Sequence, residues 1–226
     1  GLMNDWDFAY KPLVTGALNA DLVAANRALT VTASGVGTFT GAVGATAKLG
    51  SITTTTGGST LIKAPTVSAT TQTYNDAVSV GANTALTGAN VTFNSTVDGD
   101  TASTRNLTVN ASGTTTFAGS VGATKKLLGL TTDSSGTTTI SASAVQATTA
   151  TFNDPVTLGA NATVTGTTVN FANTVDGDAA DARTLTVTAS GNTTFGAVVG
   201  GTGALQALTT DSAGTTLLNG GTVTAT

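Results

Sequence analysis

Apolar and polar residues alternate in short runs along most of the chain, as in "LTVNA" from Leu107 to Ala111, "TTTF" from Thr114 to Phe117 and "VTL" from Val156 to Leu158. Alternation over a short run, bounded by Gly, Asn and Asp, predicts half-buried β-strands joined by tight turns. Thr and Val supply most of these positions, and β-branched side chains suit a pleated surface better than a helix. The stretch from Gly16 to Leu29, "GALNADLVAANRAL", is locally helix-permissive. Its end merges into the strand pattern, so a short helix or an irregular coil is expected there.

The strand runs repeat. "GANTALTGANVTFNSTVDGD" from Gly81 aligns without a gap on "GANATVTGTTVNFANTVDGD" from Gly159, an offset of 78 residues, and 38 of the 68 pairs between 81–148 and 159–226 are identical. The same offset carries Arg27 onto Arg105 and Arg183, and "LTVTASG" at Leu29 onto the runs starting at Leu107 and Leu185. The chain thus divides into an N-terminal segment, 1–26, and repeats at 27–80, 81–158 and 159–226.

Within the repeats, an aromatic residue followed four positions later by Val recurs at Phe39, Tyr74, Phe93, Phe117, Phe152, Phe171 and Phe195, at intervals of 35, 19, 24, 35, 19 and 24. The 35-residue interval has room for two turns and contains "GTTTIS" at Gly136 to Ser141. Four turns are therefore expected to share 78 residues, roughly 19–20 each, a length typical of one coil of a β-solenoid. The fold expected is all-β, a parallel β-helix in which the seven aromatic residues form an interior ladder, stacked at the strand spacing of about 4.8 Å. Turn residues such as Asn75 and Asn153 are expected to form hydrogen-bond ladders beside it. A β-sandwich array also uses short strands, but it does not account for the finer aromatic rhythm.

Both ends depart from the rhythm. Trp6, Phe8 and Tyr10 alternate with Asp5, Asp7, Ala9 and Lys11, which predicts a strand with one aromatic face, serving either as a cap on its own solenoid or as an inter-subunit docking element. Thr226 aligns with Thr148, just short of another aromatic phrase. An open strand edge there invites another chain to continue the ladder. The opening "GLMNDWDF" lacks the basic start and apolar middle of a signal peptide, so a removed leader or a longer parent protein is expected.

Composition narrows the chemistry. With 9% charged residues, a net charge of -4 and mildly positive mean hydropathy, the chain should fold rather than remain disordered. All twelve acidic residues are Asp, and His and Cys are absent. Thiol nucleophiles, disulfides, a Ser-His-Asp triad and ordinary zinc sites are excluded. Eight scattered Lys and Arg give no basic stripe, so no nucleic-acid partner is expected. No apolar run is long enough for a transmembrane helix.

Asp98 and Asp100 in "VDGD" recur as Asp176 and Asp178, with Asp181 nearby and Arg105 or Arg183 following. A catalytic site is normally unique, whereas this set is repeated with the structure, so polar turns are expected. Calcium is the one cofactor these phrases suggest, but they lack the ligand spacing of known calcium loops, and no cofactor is expected. The sequons at Asn94, Asn106, Asn110, Asn161 and Asn192 arise readily in a chain rich in Asn and Thr. Threonine runs at Gly113–Phe117 and Gly136–Ile140 suggest the Thr faces of ice-binding solenoids, but coils varying between about 17 and 24 residues are expected to break such a register. Thr is accordingly read as filling outward strand positions.

"LTVNASGTTTFAGSVG", "LTTDSSGTTTI" and "TFNDPVTLGAN" together resemble repeats of the very large bacterial surface proteins related to filamentous haemagglutinin, over roughly residues 27 to 226. The resemblance implies a right-handed parallel β-helix, export to the bacterial cell surface or beyond, and a role as adhesin, biofilm fibre or stalk. It carries over no catalytic residue. The expectation is an extracellular structural or adhesive protein whose partners are copies of itself, end to end, and a host or neighbouring-cell surface or its glycans. The alternative is a polysaccharide-binding or polysaccharide-cleaving β-helix protein.

Overall fold

The computed structural model describes residues 5–8 and 13–14 as backbone, and residues 16–20, 27–179, 182–211 and 213–226 in full. Among the described residues there is no helix, and every strand pairing is parallel. The chain is a β-solenoid whose turns each lay one short segment on each of three faces.

On the first face, Asp5–Phe8, Ala28–Val31, Leu49–Thr54, residues 71–74, Asn90–Phe93, Thr114–Phe117, Thr137–Ile140, Val156–Leu158 and Val175–Gly177 pair in succession. These nine strands span eight turns, about 38 Å at the usual strand spacing. Single bridges from Val175 to Val199 and on to Val223 continue the face. The second face runs through Val36–Phe39, Ser59–Ile62, Ala77–Val80 and Val97–Gly99. It continues by bridges through Val121 and Val145 to Ala162–Gly166, Thr184–Ala189 and Ala207–Thr210. The third face includes Thr84–Gly88, Asn106–Ala111, Leu127–Thr132, residues 149–152, Thr168–Phe171, Asn192–Phe195 and Thr215–Leu218.

Alternation decides what fills the interior. In Asn106–Ala111, Leu107, Val109 and Ala111 are buried while the residues between them face outward. Equivalent inward residues from all three faces join one core running from Ala20 to Leu205. The corners demand glycine at recurring places. Gly44, Gly122 and Gly200 stand one repeat apart with φ of 65°, 66° and 71°, and a Cβ on Gly122 would lie 2.1 Å from the Gln146 carbonyl oxygen of the next turn.

Register steps vary from 18 residues, Thr138 to Val156, to 25, Leu13 to Thr38. Short steps occur where one strand rounds a corner without a loop: Ala144–Phe152 pairs on the second face through residues 144–146 and on the third through 149–152. The uneven steps shift the phase of the sequence repeat. Ala28–Val31 lies on the first face, its equivalent Asn106–Ala111 on the third, and Thr184–Ala189 on the second. Seventy-eight residues cover eleven faces, three and two-thirds turns rather than the four expected, or about 21 residues per turn. Each repeat is consequently turned by one face relative to the one before it.

The N-terminal segment joins the same path. Asp5–Phe8 pairs with Ala28–Val31, Leu13–Val14 with Thr38–Phe39, and Leu18 bridges Val43, which places one stretch on each face. The register sets Trp6 beside Leu29 and Phe8 beside Val31. Tyr10 lies outside the described residues. The helix-permissive stretch is irregular at residues 16–20, and residues 21–26 lie outside the described residues.

Candidate functional site

The seven aromatic residues are all buried, but the change of face divides them. Tyr74, Phe93 and Phe117 stack on the first face with ring centroids 5.2 and 5.4 Å apart. Phe152, Phe171 and Phe195 stack on the third at 5.1 and 5.2 Å. Phe39 stands on the second face, between Val14 and Ile62 in register. The single ladder expected from the phrase rhythm is therefore two stacks of three and one ring apart. Above Phe117 the first face continues with Ile140 and Leu158.

The phrase also carries a polar device that its aromatic rhythm hides. Asp154 is buried two residues after Phe152 and accepts from Thr132 Oγ1 at 2.6 Å and from Thr138 Oγ1 at 2.7 and 3.0 Å. One repeat earlier, Asp76 accepts from Thr54 Oγ1 at 2.5 Å and from Thr60 Oγ1 at 2.8 and 3.0 Å. Each carboxylate thus pins the corner of the turn below. Burial pushes the Asp154 carboxyl up, against the two threonine hydrogen bonds that favour its charged form. The preceding Asn residues reach the same corner: Asn75 and Asn153 Nδ2 donate to the Thr54 and Thr132 carbonyls, and Asn94 Nδ2 donates to Asn75 Oδ1. Inside the corner, Tyr74 OH donates to Gln72 Oε1, while Gln72 Nε2 donates to the Val67 and Thr87 carbonyls. Burial, and secondarily Asp76, pushes the Tyr74 phenol far up. The sequence signal for the clamp is a Thr pair 22 and 16 residues before an Asn-Asp, conserved in spacing between Thr54, Thr60, Asp76 and Thr132, Thr138, Asp154.

The surface carboxylates singled out from the sequence are also tied to the scaffold. Asp98 Oδ1 accepts from the Thr124 and Lys125 backbone N–H groups, and Asp176 Oδ1 from those of Thr202 and Gly203. Asp100 meets Arg105, and Asp178 meets Arg183, each through two parallel hydrogen bonds. The arginine holds each carboxyl below its usual range. Asp133 and Asp211 accept from the backbone N–H groups of Ala111 and Ala189. Asp181 lies outside the described residues. Among the described residues no group of acidic side chains is placed to hold a metal ion, and no helix is long and apolar enough to cross a membrane.

The last described turn holds exposed apolar side chains. Leu218 is 52% exposed, whereas its repeat equivalent Ile140, covered by Leu158 of the next turn, is fully buried. Leu217 and Val223 are exposed beside it, and a depression is lined by Phe195, Ala197, Leu218 and residues 220–223. Thr210 and Thr216 occupy the places of Thr132 and Thr138.

The chain matches no protein-family model, no curated protein and no solved structure.

Proposed function

We propose that this chain is a structural and adhesive element of the bacterial exterior, a stiff β-solenoid rod that works by length and surface presentation. It stacks end to end on copies of itself into a filament or forms part of a long surface adhesin, and a host or neighbouring-cell surface or its glycans is its adhesive partner. The observation that carries this reading is the parallel register maintained on three faces from turn to turn. Backbone ladders on every face share an axial load, and each turn is coupled to its neighbours. The buried clamps and stacked rings add fixed contacts between the same layers.

The alternative, a polysaccharide-cleaving β-helix, needs carboxylates free to meet a substrate. Each of the eight aspartates whose side chains are described makes hydrogen bonds within the chain, which weighs against that alternative.

Electron microscopy of the natural material tests the proposal. Rods or filaments are expected, and compact monodisperse particles contradict it. Intact mass then separates its two forms: a value near 21.8 kDa identifies a filament subunit, and a value many times larger identifies a segment of an adhesin.

A further inference from the structure

The outward positions of the first face form an array that the varying turn lengths do not disturb. Thr30, Thr53, Thr73, Thr92, Thr116, Thr139 and Thr157 are successive register partners, one per turn. Length differences between turns are absorbed at the corners, so the register expected to break is kept. A second outward column, two residues earlier on each strand, includes Ser51, Thr71, Asn90, Thr114 and Thr137. Three strands therefore carry Thr-x-Thr outward: Thr71 with Thr73, Thr114 with Thr116, and Thr137 with Thr139.

Three features separate this array from general threonine richness. The seven threonines of the main column are all half-buried, and among the described residues none of their hydroxyls is bonded to another group of the chain. No outward position of either column between Ala28 and Thr157 is charged; the array meets charge at its ends, at Asp5 and Asp7 below Ala28 and Thr30 and at Asp176 above Thr157. The other faces are interrupted: the second reads Thr38, Leu61, Ser79, Asp98, and the third includes Ala85, Asn170 and Leu217.

We propose that the first face is an ice-binding surface. Neighbouring rungs repeat at about 4.8 Å and the two columns stand roughly 6.7 Å apart, twice the rise per residue of a strand. Oxygen rows on faces of hexagonal ice repeat on the same two scales. Each threonine offers a hydroxyl that can hold a water in lattice position and a methyl that limits how that water turns. Charged groups would impose their own hydration shells, and the array has none over a column of about 29 Å. Single water-mediated contacts are weak, but a rigid array makes many at once. A crystalline polysaccharide is the less fitting occupant, because sugar rings dock on exposed aromatic faces and the rings of this face, Tyr74, Phe93 and Phe117, are turned inward and fully covered.

The test uses the full chain and measures thermal hysteresis and inhibition of ice recrystallisation. The perturbed protein carries Thr92→Tyr with Thr116→Tyr at the centre of the array, and the control carries Ser79→Tyr on the second face. Outward Tyr suits a strand, so far-UV circular dichroism and melting should match for all three. The unsubstituted chain and the control should agree within twofold in ice activity, and the double variant should fall at least tenfold. Thr116→Lys, which places a charge on the array, should show the same loss and replaces the Tyr pair if that pair melts early. Absence of ice activity in the folded chain at its solubility limit overturns the proposal. So does an equal loss in the Ser79→Tyr control. Binding to crystalline cellulose or chitin that the double variant abolishes, with no ice activity, overturns it in favour of a polysaccharide surface.

Discussion

Phe171 is the middle ring of the third-face stack, with Phe152 and Phe195 at 5.1 and 5.2 Å and interplanar angles of 12° and 4°. Truncating a buried Phe to Ala costs about 3–5 kcal/mol through lost transfer energy and the cavity left behind. Each stacked pair contributes a further ~0.5–1.5 kcal/mol beyond burial, so Phe171→Ala should cost about 4–8 kcal/mol. A double-mutant cycle isolates the stacking part. Phe152→Leu and Phe171→Leu, made singly and together, should show a coupling of about 0.5–1.5 kcal/mol in urea denaturation followed by circular dichroism, with an unchanged m-value. Phe93 and Phe171 occupy equivalent places in the repeat but lie on different faces, roughly 18 Å apart along the axis at the usual strand spacing. Their cycle should show additivity within about 0.5 kcal/mol. Equal coupling in the two cycles, or none between Phe152 and Phe171, would refute the division into separate stacks.

Gly122→Ala should lower the melting temperature sharply, because φ of 66° costs an L-residue about 1–2 kcal/mol and its Cβ would also collide with the Gln146 carbonyl; thermal denaturation measures it. Asp154→Asn should flatten the pH dependence of stability. Burial raises the folded-state pKa of Asp154 above the ordinary value of 3.8, so the fold binds this proton more tightly than the unfolded chain does, and the group's contribution falls as pH rises through that window. The Asn variant, which keeps an acceptor for Thr132, should lose this slope and be at least as stable at neutral pH, as read from urea midpoints across the carboxyl range. Asp100 and Asp178 act with the opposite sign. Arginine lowers both carboxyls, so their contribution is present above the ordinary carboxyl value and lost as pH falls below it, and added salt should shrink it because both pairs face solvent.

The repeat, the strands and the inward aromatic residues were legible because each is a local or directly periodic feature. Phe117 and Phe195 head the same phrase and are buried for the same reason, alternation within a short strand. Their faces were not legible, because a face is set by the summed lengths of intervening turns, and a strand such as Ala144–Phe152 that rounds a corner leaves no loop to mark it. The clamp was hidden for a similar reason. Asn153-Asp154-Pro155 looks like an ordinary polar turn until the register brings Thr132 and Thr138 beneath it. The threonine column misled in the other direction: unequal turn lengths argued against it, yet they are taken up at corners such as 121–126, away from the first-face strands.

The central claim is that each 78-residue repeat is turned by one face relative to the last, and engineered disulfides test it most directly because the chain has no cysteine of its own. Thr139 and Thr157 are neighbours on the first face, and Thr131 and Thr151 on the third. At the usual strand spacing of about 4.8 Å, Cα atoms so placed fall within disulfide range. Paired Cys substitutions at 139 and 157, and at 131 and 151, should cross-link under mild oxidation, while a pair at 139 and 151 should not. A ready cross-link between 139 and 151, with none between 139 and 157, would place Thr151 in the first-face column and contradict the rotation.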